Sequence, residues 1–191
     1  LKLAKNRQTK DYFVAYFSGP IRSAGTTASC VVLMLIDYLR EMFGYEKYDP
    51  TEEEIKRTYT ELLDYHERIT NLQYMPTEEE ALFLAKNLPF QVNGEASETI
   101  EVSNYKNLDR IETNYLRGLM CLIIGEGIAQ NAKKAFRMLK SLKKRGFNSS
   151  GFDFLEEYIA IHEKREVGKA EESPTYIKDL VAGMPVFGHP S

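Results

Sequence analysis

The chain has no tryptophan, two cysteines and three histidines among its 191 residues. Two cysteines cannot build a disulfide framework or a four-cysteine zinc site. Cys30 and Cys121 each lie in an apolar run, where a free thiol behaves as a small hydrophobe. The expected compartment is therefore a reducing one, the cytoplasm. His66, His162 and His189 are scattered, with no nucleophile or metal-ligand spacing around them, and His66 and His162 read as helix-face packing residues. A long hydrophobic run is also missing. The longest, Ala28 to Ile36 with only Ser29 interrupting, falls short of the ~20 residues a membrane span needs, so no membrane partner is expected. Leu1 to Lys5 lacks the apolar segment of a signal peptide. Nor is there an overall basic excess: the net charge is −3, so any affinity for nucleic acid must come from a local patch.

What is present is an ordinary globular composition, 43% hydrophobic and 28% charged, which excludes disorder over most of the chain. Tyr12 to Phe17 is aromatic and β-branched and stops at Ser18-Gly19-Pro20, the pattern of a buried strand and turn. A helix from about Ala28 to Phe43, ended by Gly44, is apolar through its first half and belongs at the centre of the core. Pro50-Thr51-Glu52-Glu53-Glu54 and Pro76-Thr77-Glu78-Glu79-Glu80 each spell a capping box, so two helices start there. The first places Ile55, Tyr59, Leu62, His66 and Ile69 on one stripe; the second ends near Leu88, before Pro89.

Phe90 to Val92 and Thr99 to Val102 read as a two-stranded element around Asn93-Gly94. A helical stretch from about Thr113 to Arg145 is expected to break near Gly125-Glu126-Gly127, followed by a loop and a helix over Phe152 to Lys164. The charged, small stretch Glu163 to Ser173 reads as a linker. The fold class is α+β, mostly helical, with a few short strands packed against a central apolar helix. Residues 1–165 are expected to form one domain, and 166–191 a linker and the start of the next element of a longer parent chain. The leading Leu and the uncapped ending Gly183 to Ser191 support that expectation.

Two stretches could meet an anion. The loop Gly19 to Thr27 lies between a strand and a helix N-terminus, where backbone amides and Arg22 could hold a phosphate. It also reads as a plain structural turn. It does not fit a nucleotide-hydrolysing loop, since five residues separate Gly19 from Gly25 and no Lys follows. The second stretch, Lys133 to Arg145, carries seven bases and no acid, leaving −10 for the remainder. Lys133, Arg137, Lys140 and Lys144 share one helical stripe, Lys134 flanks it, and Ala132, Ala135, Phe136, Leu139 and Leu142 turn away. Such a rail suits a phosphate backbone; a basic face that is only solvated fits the same pattern. Asp49 to Glu101, with thirteen acids and four bases, is expected to present a surface that repels nucleic acid. Glu126, between two glycines in an apolar run, is expected to be partly buried.

Beyond spacing, several words are recognisable. Val14-Ala15-Tyr16-Phe17-Ser18-Gly19-Pro20-Ile21-Arg22-Ser23-Ala24-Gly25 resembles a signature near the start of the large subunit of archaeal family D DNA polymerase. So do Glu101 to Tyr105, Arg110 to Asn114, Leu116-Arg117-Gly118, Thr175 to Leu180 and Pro185 to Ser191. The chain departs from the pattern at Thr26 and Leu119, where the family usually has glycine, and at Met184, where a basic residue is common. The resemblance implies a polymerising subunit of a replicative enzyme, partnered by a small subunit with a proofreading exonuclease, by DNA and by the sliding clamp. Catalytic carboxylates, magnesium and structural zinc belong to parts of that parent further downstream. This piece would then be its amino-terminal accessory domain, with no catalytic or metal-binding residue of its own, serving architecture, subunit contact and the steadying of duplex DNA.

Overall fold

The computed structural model describes residues 1–19 and 26–172. Three strands, β1 (Lys2–Lys5), β2 (Asp11–Phe17) and β3 (Gln91–Gly94), form a sheet in the order β1-β2-β3. β1 pairs antiparallel with β2, and β2 pairs parallel with β3. The central strand is buried along most of its length because it is covered on both faces; only Tyr16 is markedly exposed. Helix α1 (Thr26–Phe43) runs through the core with Cys30, Leu33 and Met34 almost wholly enclosed, as its apolar sequence requires. Gly44 ends it in a left-handed conformation, with the Tyr45 amide bonded to the Arg40 carbonyl. Cys121 is buried as well.

Helices α2 (Glu52–Arg68) and α3 (Glu78–Asn87) both begin with the expected capping box, Thr51 with Glu54 and Thr77 with Glu80. The face that α2 buries is not the one its hydrophobic spacing suggests. Of Ile55, Tyr59, Leu62, His66 and Ile69, only Leu62 is fully buried, whereas Glu54, Arg57, Glu61 and Asp64 are all enclosed. The reason lies far along the chain. Residues 95–117 wrap over that polar face and answer each of its charges.

The expected hairpin around Asn93-Gly94 does not form. β3 instead joins β2 in parallel, and the segment after it contributes a single bridge, Glu101 to Tyr115. Asn93 and Gly94 lie within β3, paired with Tyr16 and Phe17, and the Asn93 side-chain oxygen accepts from the Arg117 guanidinium at 2.9 Å inside the protein. Residues 113–117 are likewise not helical. Helix α4 (Gly118–Leu122) begins only after Arg117, which turns inward to reach Glu61. The break expected at Gly125-Glu126-Gly127 is a π-helical turn, Ile123–Ala129, and the chain actually interrupts at Gln130 and Asn131 before α5 (Ala132–Lys144). Glycine here admits close packing, since a Cβ on Gly125 would lie 3.3 Å from the Tyr74 carbonyl. A short 3-10 turn, Ser150–Phe152, leads to α6 (Leu155–Glu172). The stretch from Glu163 that read as a linker therefore continues α6 as far as Glu172.

Candidate nucleic-acid interface

Helix α5 packs on α1, α6 and the π turn through Ala132, Ala135 and Leu139, each under 4% exposed. That apolar stripe fixes its rotation, so the opposite side faces solvent. Lys133, Lys134, Arg137, Lys140 and Lys144 are all exposed, as the sequence periodicity requires. Phe136 and Leu142 are only partly covered. Lys133 pairs with Glu163 of α6 at 3.0 Å, and Lys143 pairs with Asp153. The Lys140 ammonium lies 4.3 Å from the centre of the Phe136 ring, which holds it over the helix. Among the described residues, Arg137, Lys144 and Arg145 form no ion pair. From Lys133 to Lys144 the stripe is about 17 Å long, the rise of eleven helical residues. Arg22 lies outside the described residues.

The end of this helix is held by buried polar contacts. Gly146, at φ +90°, closes α5, with the Phe147 amide bonded to the Leu142 carbonyl at 3.0 Å. The Ser149 hydroxyl donates to the Met34 carbonyl at 2.9 Å, and the Gly151 amide donates to Asp37 at 2.8 Å. Asp37 is itself paired with Arg40 at 2.7 Å, both buried in α1.

Three other polar clusters brace the domain. Glu61 accepts from Arg57 at 2.5 Å and from Arg117 at 3.0 Å, and all three side chains are almost fully enclosed. Arg57 also donates to the carbonyls of Tyr105 and Thr113 at 2.9 and 3.0 Å. Burial draws the Arg57 guanidinium below the usual arginine value, with Glu61 opposing that shift. Arg110 grips Glu54 at 2.6 Å and the Asp49 carbonyl at 2.8 Å, and its guanidinium faces the Tyr48 ring 5.0 Å from the centroid. Glu80 receives Arg165 at 2.6 Å and Tyr74 at 2.9 Å, and lies 3.0 Å from His162. Burial opposes ionisation of Glu80, but the Thr77 amide, His162 and Tyr74 outweigh it and hold the carboxyl below its ordinary value. His66 takes the Leu72 amide at 2.9 Å.

These clusters revise two expectations. Four of the thirteen acids between Asp49 and Glu101, namely Glu54, Glu61, Asp64 and Glu80, are interior and partnered, so the acidic stretch is not wholly a repelling surface. The bracing role of Arg110 and Arg117 is not legible in local spacing because their carboxylate partners are 56 or more residues away, and that of Arg57 because two of its three partners are the distant carbonyls of Tyr105 and Thr113. The capping boxes were a partial signal, since Glu54 and Glu80 each serve both a cap and a cluster. Glu126 is half-buried and accepts the Gln73 amide at 2.9 Å. Burial raises the Cys30 thiol to about 11, and its Sγ donates to the Gly127 carbonyl at 3.0 Å, as fits a packing group.

Among the described residues no group of three or more histidine, cysteine or acidic side chains could hold a metal ion, and no helix is long and apolar enough to cross a membrane. The fold and the exposed basic stripe of α5 define a helical α+β domain with a charge-braced interior. Residues 1–161 match the family described as the amino-terminal part of the DNA polymerase II large subunit DP2. The chain is 43% identical over 223 residues to the DNA polymerase II large subunit of Nanoarchaeum equitans, covering all of this chain and 18% of that protein. It is 39% identical over 197 residues to that of Methanosarcina barkeri, covering all of this chain and 17% of the relative. With that of Thermoplasma acidophilum it shares 38% over 190 residues, 99% of this chain and 17% of the relative. The chain belongs to the amino-terminal region of the large subunit of archaeal family D DNA polymerases. It spans less than a fifth of the length of these relatives.

Proposed function

We propose that this domain is a non-catalytic, DNA-proximal part of a replicative archaeal DNA polymerase. The parent carries out DNA-directed DNA synthesis, with a 3′–5′ exonuclease supplied by its small subunit. The domain contributes architecture, contact with that subunit and binding of the DNA backbone by Lys133, Lys134, Arg137, Lys140 and Lys144, with Arg22 as a further phosphate contact. The observation that carries this reading is the outward basic stripe of α5 on a domain whose buried Arg57, Glu61 and Arg117 are paired internally. The parent is expected to use magnesium and structural zinc outside this domain, and the sliding clamp is a further expected partner.

The test is fluorescence anisotropy of a labelled primer-template with the full-length large subunit and its partner, over a salt series. Reversing Lys133, Arg137, Lys140 and Lys144 to Glu is expected to weaken binding and make the salt slope shallower by about 3 to 4 units, roughly 0.9 per lost phosphate contact. An unchanged affinity and slope would remove the rail from DNA binding. The same exposed stripe supports a second reading, in which the helix docks on an acidic partner surface. In that case the reversal abolishes capture of the small subunit while leaving DNA affinity intact.

A further inference from the structure

We propose that the outward face of α1 is covered by the large subunit's own chain outside residues 1–172, which seats an uncharged apolar surface on Val32, Leu35, Leu39, Met42 and Phe43. These residues lie on a different helix from the basic stripe, so the interface is separate from DNA binding.

A helix at a protein surface ordinarily turns its polar side chains outward and its apolar ones in. Helix α1 does the reverse. At 3.6 residues per turn, Val31, Val32, Leu35, Leu39, Met42 and Phe43 share an arc of about 120°, and from Val31 to Phe43 that arc runs about 18 Å. Val32 is 45% exposed, Met42 62% and Phe43 63%, while Val31, Leu35 and Leu39 are half-buried. The charged residues of α1, Asp37, Arg40 and Glu41, all lie outside the arc, and Asp37 and Arg40 are enclosed and paired with each other. The apolar ground continues past the end of the helix. Phe43 stacks on Tyr45 at 5.8 Å, Tyr45 meets the Phe13 ring at 5.1 Å, and Phe13 stands opposite the exposed Leu3 on the edge strand β1.

A contiguous exposed apolar surface of this kind marks a contact site. Exchangeable interfaces carry a polar, charged rim, whereas permanent ones resemble a domain core cut in half. A helix face without a charge along its length belongs to the permanent kind, and left bare it would drive aggregation. A covering segment on the same polypeptide is tethered at high effective concentration from synthesis onward; a separately made subunit would leave the face open until it arrived. The chain accounts for 18% of the Nanoarchaeum equitans large subunit and 17% of the Methanosarcina barkeri one, so more than four-fifths of each relative lies outside it and is available as cover. A membrane surface is a poor occupant. A helix lying on one displays lysine or arginine beside its apolar face, and the one basic residue of α1, Arg40, is buried.

The experiment uses the full-length large subunit with its small-subunit partner, assembled from a mixture of heavy-isotope and unlabelled large subunits. p-Benzoylphenylalanine placed at Val32 or Met42 is photoactivated, and the crosslinked peptides are identified by mass spectrometry. Crosslinks to large-subunit peptides outside residues 1–172, in pairs of a single isotope, support the proposal. Mixed-isotope pairs mean that a second copy occupies the face, and crosslinks to the small subunit mean that it does; either result overturns the proposal, as does the absence of any crosslink beyond residues 1–172. Peroxide footprinting reads the same face without a bulky label. Met42 is expected to be protected in the assembled enzyme and to lose that protection in V32E, with V32I retaining it. Oxidation of Met42 as fast as in the urea-unfolded protein overturns the proposal as well.

Discussion

Replacing Glu61 with Gln should loosen the domain more than any surface change, because Glu61 lies between two enclosed guanidiniums, those of Arg57 and Arg117. The substitution keeps the shape and one acceptor but removes the charge. Two buried arginines, Arg57 and Arg117, then face each other with only Asn93 and the carbonyls of Tyr105 and Thr113 as partners. Each lost attraction at such separations amounts to about 4 kcal/mol at an effective dielectric near 20. Desolvation already opposed the native cluster, so the net effect is smaller than the sum. Breaking a buried pair by removing one partner costs about 3–5 kcal/mol. Hydrogen–deuterium exchange of the full-length subunit should therefore show opening of α2, α4 and residues 95–117 enhanced roughly a hundredfold to a few thousandfold. Glu67→Gln, exposed on the same helix, serves as the control and should stay within about 0.5 kcal/mol of the parent. Exchange in the Glu61 variant within tenfold of the parent would refute the claim that this triad staples the long loop.

Two further outcomes follow from packing and titration. Gly118→Ala places a Cβ 2.6 Å from both the enclosed Tyr65 ring and the Ser97 hydroxyl, and should lower the unfolding free energy by about 1–3 kcal/mol in a urea titration. Wild-type stability in that substitution would mean that the ring can yield. Glu80 ionises more readily when folded, so its contribution is complete above the ordinary glutamate value of 4.5 and is lost as pH falls through the lower folded value. Urea midpoints measured from about pH 6 down to about pH 3 should fall less steeply for Glu80→Gln than for the parent; parallel curves would show that the cluster with Tyr74, His162 and Arg165 adds no acid sensitivity.

The readable parts of the chain were those in which local chemistry and long-range packing agree. Thr51 and Thr77 cap helices whatever surrounds them, Gly44 ends α1, and the alternation of alanine, leucine and lysine in α5 fixes which side is wet. The hairpin around Asn93 and the stripe on α2 were misread for one shared reason. Asn93 and Glu61 both meet Arg117, and Arg57, besides its pair with Glu61 one turn on, reaches the carbonyls of Tyr105 and Thr113; no periodicity in a short window records partners that lie tens of residues away. The words that carry the family resemblance, Arg110 and Arg117 among them, turn out to be the residues that close these clusters.

The sequence by itself determined the class of the fold, the central place of α1, the two capped helices and the outward basic stripe, because each follows from a 3.6-residue or two-residue period and from caps made within a single turn. Only the tertiary structure decided that α2 turns its charges inward, that β3 lies parallel to β2 and that Arg117 turns inward to reach Glu61. Those features depend on ion pairs and backbone contacts between segments brought together by folding, where removal from water makes an unmatched charge costly and so selects the arrangement in which each finds its partner.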